Sequence, residues 1–135
     1  MDCIFCKIVA GQIPAKILYE TQNSIAFMDA FPLTRGHSLV ISKRHYEKIQ
    51  DIPSEENTDL FCTVQKTLAK IDTITGATLI AIHNGKESGQ EIPHVHIHLI
   101  PRSADDGAGA VHSMFSNMPN LTTDEKFQLY DKLKQ

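Results

Sequence analysis

The run His94-Val95-His96-Ile97-His98-Leu99-Ile100 constrains this chain more than any other stretch of it. Polar and apolar residues alternate, and a period of two marks a β-strand whose two faces meet different surroundings. On such a strand Val95, Ile97 and Leu99 enter a core. His94, His96 and His98 then share the opposite surface, roughly 7 Å from one to the next at a rise of about 3.3 Å per residue. Folding alone does not ask for histidine there, because Thr, Lys or Ser would serve an outer face equally well. Imidazole differs from these in having an unperturbed pKa of about 6.5, so it donates, accepts or attacks near neutral pH. The run therefore reads as chemistry, either metal ligation or nucleophilic and acid–base catalysis.

With 135 residues the chain has the length of one domain, enough to bury a core. A net charge of -3 gives no electrostatic footprint for a nucleic-acid backbone. The longest apolar runs fall short of the roughly 20 residues that span a bilayer, so no membrane partner is expected. Met1-Asp2-Cys3-Ile4-Phe5-Cys6 lacks the charged start and long apolar segment of a secretory signal. Three cysteines make no disulfide framework, and a reducing, cytoplasmic setting is expected.

Lys16–Tyr19 and Ser24–Met28 read as short strands around a turn, and Pro32 then breaks the ladder. His37–Ser42 follows the turn Thr34-Arg35-Gly36 as a third strand. From Ser54 the period becomes helical: Leu60, Phe61, Val64, Leu68 and Ile71 recur on one face, with Ser54 as N-cap and Gly76 as stop. Thr78–His83 is a fourth strand, pairing antiparallel with the fifth, His94–Pro101, through a glycine-bearing connection. Ser103–Asn120 reads as a mobile loop, and Thr123–Leu133 as a C-terminal helix capped by Thr122 or Thr123. The order predicts an α+β domain over residues 1–135: an antiparallel sheet of about five strands, one long helix and a C-terminal helix.

Cys3 and Cys6 stand at a spacing that suits one tetrahedral zinc, with His45 and His94 as candidates for the missing ligands. A redox pair is the alternative, but its usual βαβ setting is absent, and two inert thiols are a third possibility. Cys62, beside Phe61 in the helical pattern, reads as a small core hydrophobe.

Several ordered segments carry a family resemblance: Ile4-Phe5-Cys6-Lys7-Ile8, Gly11–Lys16, Ala26-Phe27-Met28-Asp29, Gly36–Ile41 and Gly89–Arg102. Together they resemble the histidine triad (HIT) nucleotide-binding family from about Cys3 to Arg102, leaving residues 103–135 outside the match. The resemblance implies the HIT fold, a homodimer, and hydrolysis at the α-phosphorus of a purine nucleotide such as an AMP or GMP conjugate. His96 matches the middle histidine of the motif and would attack phosphorus, giving a nucleotidyl-imidazole that water then opens. Covalent catalysis of this kind divides one hard displacement into two easier ones. His98 would hydrogen-bond the phosphate, with His37 as its supporting histidine, and no catalytic metal is required. Phe5, Ile8 and Phe27 would sandwich the base and Asp29 would hold the ribose hydroxyls. Read without the resemblance, the apolar three are ordinary core residues and Asp29 a turn residue. The resemblance also implies a structural Zn2+ on Cys3, Cys6, His45 and His94, the ligand set that zinc chemistry already allowed.

Two positions depart from the family's habit. His83, followed by Asn84, stands seven residues before Gln90, where an Asn or Gln amide usually meets the phosphate. His83, Asn84, Gln90 and Glu91 are accordingly the candidate contacts at the phosphate end. Glu91 replaces a hydroxyl residue near the leaving group, where it would either protonate a departing amine or point to solvent. Met114, Phe115 and Met118 in the tail would serve an interface between copies. The expected function is a phosphoramidase-like nucleotide hydrolase; the alternatives are a dinucleoside polyphosphate hydrolase and a zinc-stabilised binding module without catalysis. A zinc hydrolase fits less well, because strand spacing rarely brings three histidines onto one ion.

Overall fold

A computed structural model describes residues 2–135. Helix α1 (Ile4–Val9) is followed by strands β1 (Ile17–Glu20), β2 (Ser24–Met28) and β3 (Ser38–Ser42). Helix α2 (Ser54–Ile71) leads into β4 (Thr78–Ile82) and β5 (His96–Pro101), and α3 (Thr123–Leu133) closes the chain. The five strands form one antiparallel sheet in the order β1-β2-β3-β5-β4.

Alternation along the strands sends two residue sets to opposite faces. Ala26, Val40, Ile97 and Leu99 face α2 and pack with its Leu60, Val64 and Ile71. Ile25, Phe27, Leu39 and Ile41 face α1 and pack with Cys3 and Phe5. Both faces are thus covered, by a long helix on one side and the short helix α1 on the other. Leu60 is fully buried between helix and sheet. Leu60→Ala is expected to cost about 2–5 kcal/mol, read as a lowered urea midpoint at unchanged slope.

The sheet register places the histidines. Ile41 pairs with His96 and with Ile25, and Leu39 pairs with His98 and with Phe27. His96 and His98 therefore extend two apolar rungs on the α1 face, as the alternation predicts, with Val95, Ile97 and Leu99 in the core opposite. His94 lies on the same α1 side but outside the strand, which begins at His96, and its ring meets Cys3, Cys6 and Phe5 at α1 rather than the cleft.

Other expectations need correction. Pro53 holds the cap position of α2, so Ser54 is its first residue and makes no side-chain cap. Phe61 is 41% exposed and Cys62 is also exposed, so Cys62 is not a core residue. Thr63 and Thr67 take the buried positions instead. Their hydroxyls are satisfied there: Thr63 Oγ1 meets Ser24 Oγ at 2.7 Å and Thr67 donates to the Thr63 carbonyl at 2.7 Å. A hydroxyl with partners is buried at little cost. The loop after β5 opens with a bracketed turn, in which Arg102 donates to Asp106 at 2.6 Å and to the carbonyls of Ala108 and Gly109. Thr122 caps α3 by accepting from the Glu125 amide at 3.2 Å.

Candidate active site

Two clusters hold six of the seven histidines, and His112 lies apart in the tail. The first cluster forms where α1 meets the segment before β5. Cys3 and Cys6, three residues apart around the first turn of α1, present their sulfurs on one side. The amide of Val95 donates to the Tyr46 carbonyl at 2.8 Å, which holds the His45 loop beside His94. Cys3 Sγ lies 3.5 Å and Cys6 Sγ 3.7 Å from His94 Nδ1; Cys6 Sγ lies 3.4 Å and His94 Nδ1 3.2 Å from His45 Nδ1.

These separations can be compared with a tetrahedral ion. Zinc bonds of about 2.3 Å to sulfur and 2.0–2.1 Å to nitrogen give tetrahedral edges of about 3.3–3.8 Å. The observed edges fall in that range within about 0.1 Å, so the geometry fits. The protons fit too. His94 Nε2 lies 2.6 Å from the Ser42 carbonyl and must donate to it, leaving the Nδ1 lone pair turned to the sulfurs. Burial pushes the His94 pKa down to about 4, partly opposed by the Ser42 hydrogen bond, so the ring is a neutral ligand at pH 7.

The second cluster lines a cleft of about 430 Å³, a size typical of small-ligand sites. One end is apolar, walled by Phe5 and Ile8 of α1 together with Phe27 and Leu39 of the sheet. At the other end stand His37, His83, His96 and His98, with Asp29 and Glu91 on the walls. The ring centroids of His96 and His98 are 5.1 Å apart, and Phe5 lies 5.0 Å from His96.

Hydrogen bonds fix the tautomers of His37, His96 and His98. His96 Nδ1 is 2.7 Å from the His94 carbonyl and must be the donor, which leaves Nε2 unprotonated. Burial holds His96 below its ordinary pKa despite that bond, so a lone pair is present at neutral pH. His37 Nδ1 accepts from the Leu33 amide at 3.0 Å, so its proton sits on Nε2 and is donated to His98 Nδ1 at 3.0 Å. His98 must then carry its own proton on Nε2. Burial, reinforced by neighbouring imidazoles, pushes His98 down to about 4, and the ring is a neutral donor.

Asp29, His37 and His98 bring three possible ligand atoms within 4.8 Å of one another. A cation there would need a lone pair on His37 Nε2, which the Leu33 amide excludes by occupying the other ring nitrogen. This group is a hydrogen-bond relay rather than a ligand set.

The remaining expected contacts divide. His83 lines the cleft with its ring 5.4 Å from His98, and Glu91 is exposed on the same wall. Asn84 and Gln90 do not reach the cleft. The Asn84 amide accepts from the Ile49 N–H and donates to Gln50, both at 2.9 Å. Buried Gln90 accepts from the Gly85 amide at 2.8 Å and donates to the Glu47 carbonyl at 2.7 Å. Both side chains brace the loop before β5. The Leu33 amide is a site group that residue types could not reveal, since every residue but proline carries one.

An unprotonated imidazole nitrogen beside an imidazole donor, at the mouth of an apolar cleft, is an arrangement equipped for nucleophilic attack. Comparison with known proteins gives it a lineage: the chain belongs to the HIT domain family, which it matches over residues 10–105. Adenosine 5'-monophosphoramidase HNT1 of Saccharomyces cerevisiae is 43% identical over 109 residues, 81% of this chain and 67% of that protein. A HIT family protein from Bacillus subtilis has a TM-score of 0.85 at 31% identity, covering 99% of this chain and 96% of that one. A zinc-bound histidine triad family protein from Mycobacterium smegmatis has a TM-score of 0.68 at 37% identity, over 79% of each chain.

Proposed function

We propose that this protein is a nucleotide hydrolase that releases a nucleoside 5'-monophosphate from an amine, by way of a nucleotidyl-histidine. The observation that carries this reading is the free Nε2 of His96, aimed by the His94 carbonyl and flanked by the His98 N–H. The base lies between Phe5, Ile8 and Phe27, and Asp29 accepts from the ribose hydroxyls. His98 Nε2 and His83 then contact the phosphate. His96 Nε2 forms a bond to phosphorus as the bond to the leaving nitrogen breaks, and the amine departs with a proton drawn from solvent by way of Glu91. Water opens the phospho-imidazole, its hydroxyl going to phosphorus and its other proton back to solvent, releasing the monophosphate and restoring neutral His96. Holding the reactants in line and offering fixed donors accounts for the acceleration. The kinship with an adenosine 5'-monophosphoramidase supports the amine as leaving group.

The Cys3, Cys6, His45 and His94 cluster would hold a structural Zn2+, with the zinc-bound mycobacterial relative in support. Bound there, the ion cross-links α1 to the segment before β5 and supplies no step of the reaction. A homodimer would cover β4, an edge strand exposing Leu79 and Ile80, together with Phe61 of α2. The free thiols fit a reducing, cytoplasmic setting. No helix among the described residues is long and apolar enough to cross a membrane.

Release of AMP from adenosine phosphoramidate and from diadenosine tetraphosphate tests the reading. The expected result is faster cleavage of the phosphoramidate. Preference for the tetraphosphate would make the protein a dinucleoside polyphosphate hydrolase, and turnover of neither would leave a binding module.

A further inference from the structure

Asp29 and His37 face each other across the end of the β2–β3 ladder, one rung beyond the Met28–Ser38 pair. The Asp29 amide donates to the His37 carbonyl at 3.0 Å, so the backbone fixes the two residues together. Their side chains meet as well: Asp29 Oδ2 lies 3.6 Å from His37 Nε2, a close charge contact rather than a hydrogen bond. The other carboxylate oxygen accepts from the Phe31 amide at 2.9 Å, which turns Oδ2 toward the cleft. His37 Nε2–H therefore has an imidazole nitrogen on one side and a carboxylate on the other. His37 is 2% exposed and the Asp29 side chain 18%, so water screens the pair only in part.

We infer that Asp29 is a positioning residue for the phosphate end, in addition to its proposed contact with the ribose. Its carboxylate acts together with the Leu33 amide to hold His37 with Nε2–H directed inward, and His37 in turn holds His98 with its own Nε2–H directed at the phosphate. The sugar end and the phosphate end of the cleft are thereby joined through one carboxylate and two imidazoles. The carboxylate also acts on the pair electrostatically, opposing the burial that lowers both His37 and His98. An uncharged residue at position 29 would remove one of the two groups that favour His37 Nε2–H, the Leu33 amide being the other, and so loosen the hold on the single His98 tautomer that points a proton, not a lone pair, at an anion. This inference rests on the ribose and phosphate assignments proposed above.

A substrate without ribose hydroxyls separates the two roles. Asp29→Asn keeps the acceptor for the Phe31 amide and removes the charge. With 2',3'-dideoxyadenosine phosphoramidate no ribose hydroxyl remains to be bound, so a purely sugar-binding Asp29 gives the variant wild-type kcat. The expected result is a fall in kcat of about tenfold or more, the scale on which orienting partners act. In a His37→Asn background the same substitution adds no further loss, because the relay is already cut. Ring 1H–15N correlation spectra supply a readout without substrate: one Nε2–H tautomer of His98 in the wild type, and a mixture in Asp29→Asn. Wild-type kcat on the dideoxy substrate, or an unchanged His98 tautomer, overturns the inference. If the wild type itself releases no AMP, the proposed function falls instead, and the ring spectra still decide the relay.

Discussion

His96→Ala is expected to lower AMP release from adenosine phosphoramidate by about a thousandfold or more, equivalent to about 4 kcal/mol of lost transition-state stabilisation. The substitution removes the one ring whose free nitrogen is aimed by a backbone carbonyl and flanked by a fixed donor. KM should change far less than kcat, because the contacts proposed for the base and ribose remain. Rapid quenching of the wild type with labelled substrate should trap nucleotide on the protein, and the variant should trap none. A variant that retains turnover within about tenfold of the wild type would remove His96 as nucleophile. His98→Ala serves as a comparison: it deletes the proposed phosphate donor and leaves the proposed attacking nitrogen, so nucleotide should still be trapped, more slowly.

The second large effect concerns stability. Adding a strong chelator to protein purified with zinc is expected to lower Tm by about 10 °C, because a metal cross-link between distant segments contributes directly to folding. The segments are distant in sequence: Cys3 and His94 are 91 residues apart. His45→Ala should show the lowered Tm without chelator, and should respond little when chelator is added. A wild type whose Tm ignores the chelator, with no zinc found by elemental analysis, would leave the four ligands as an ordinary packed cluster.

Much of this arrangement was legible from residue types because strict alternation leaves few choices. Val95, Ile97 and Leu99 had to enter a core, and the rings at 96 and 98 followed onto the other face. The helix α1 was less legible. It has six residues and carries no side-chain N-cap, too short for the spacing of Phe5, Ile8 and Val9 to establish a helix without its contacts with the sheet. Pattern alone puts apolar residues inward, and the buried face of α2 departs from it. Phe61 turns out, while Thr63 and Thr67 turn in, satisfied by hydroxyl and carbonyl partners from β2 and from the helix itself. Position in a motif points Asn84 and Gln90 at a phosphate. Their amides meet the backbone of the neighbouring loop, and only coordinates show which acceptor an amide has found. The Asp29–His37 contact depends on strand register, which a single sequence leaves open.

His94 illustrates how two requirements can be met by separate parts of one residue. Its ring belongs to the sulfur cluster, but its service to His96 comes from the main-chain oxygen. Any amino acid has that oxygen. The chemistry consequently makes no demand on the identity of position 94, only on the path of its peptide plane. Histidine is needed there for the clasp alone. Anyone rebuilding this scaffold could exchange the clasp for a different fastening and keep the hydrolytic machinery, provided that the oxygen stays where it is.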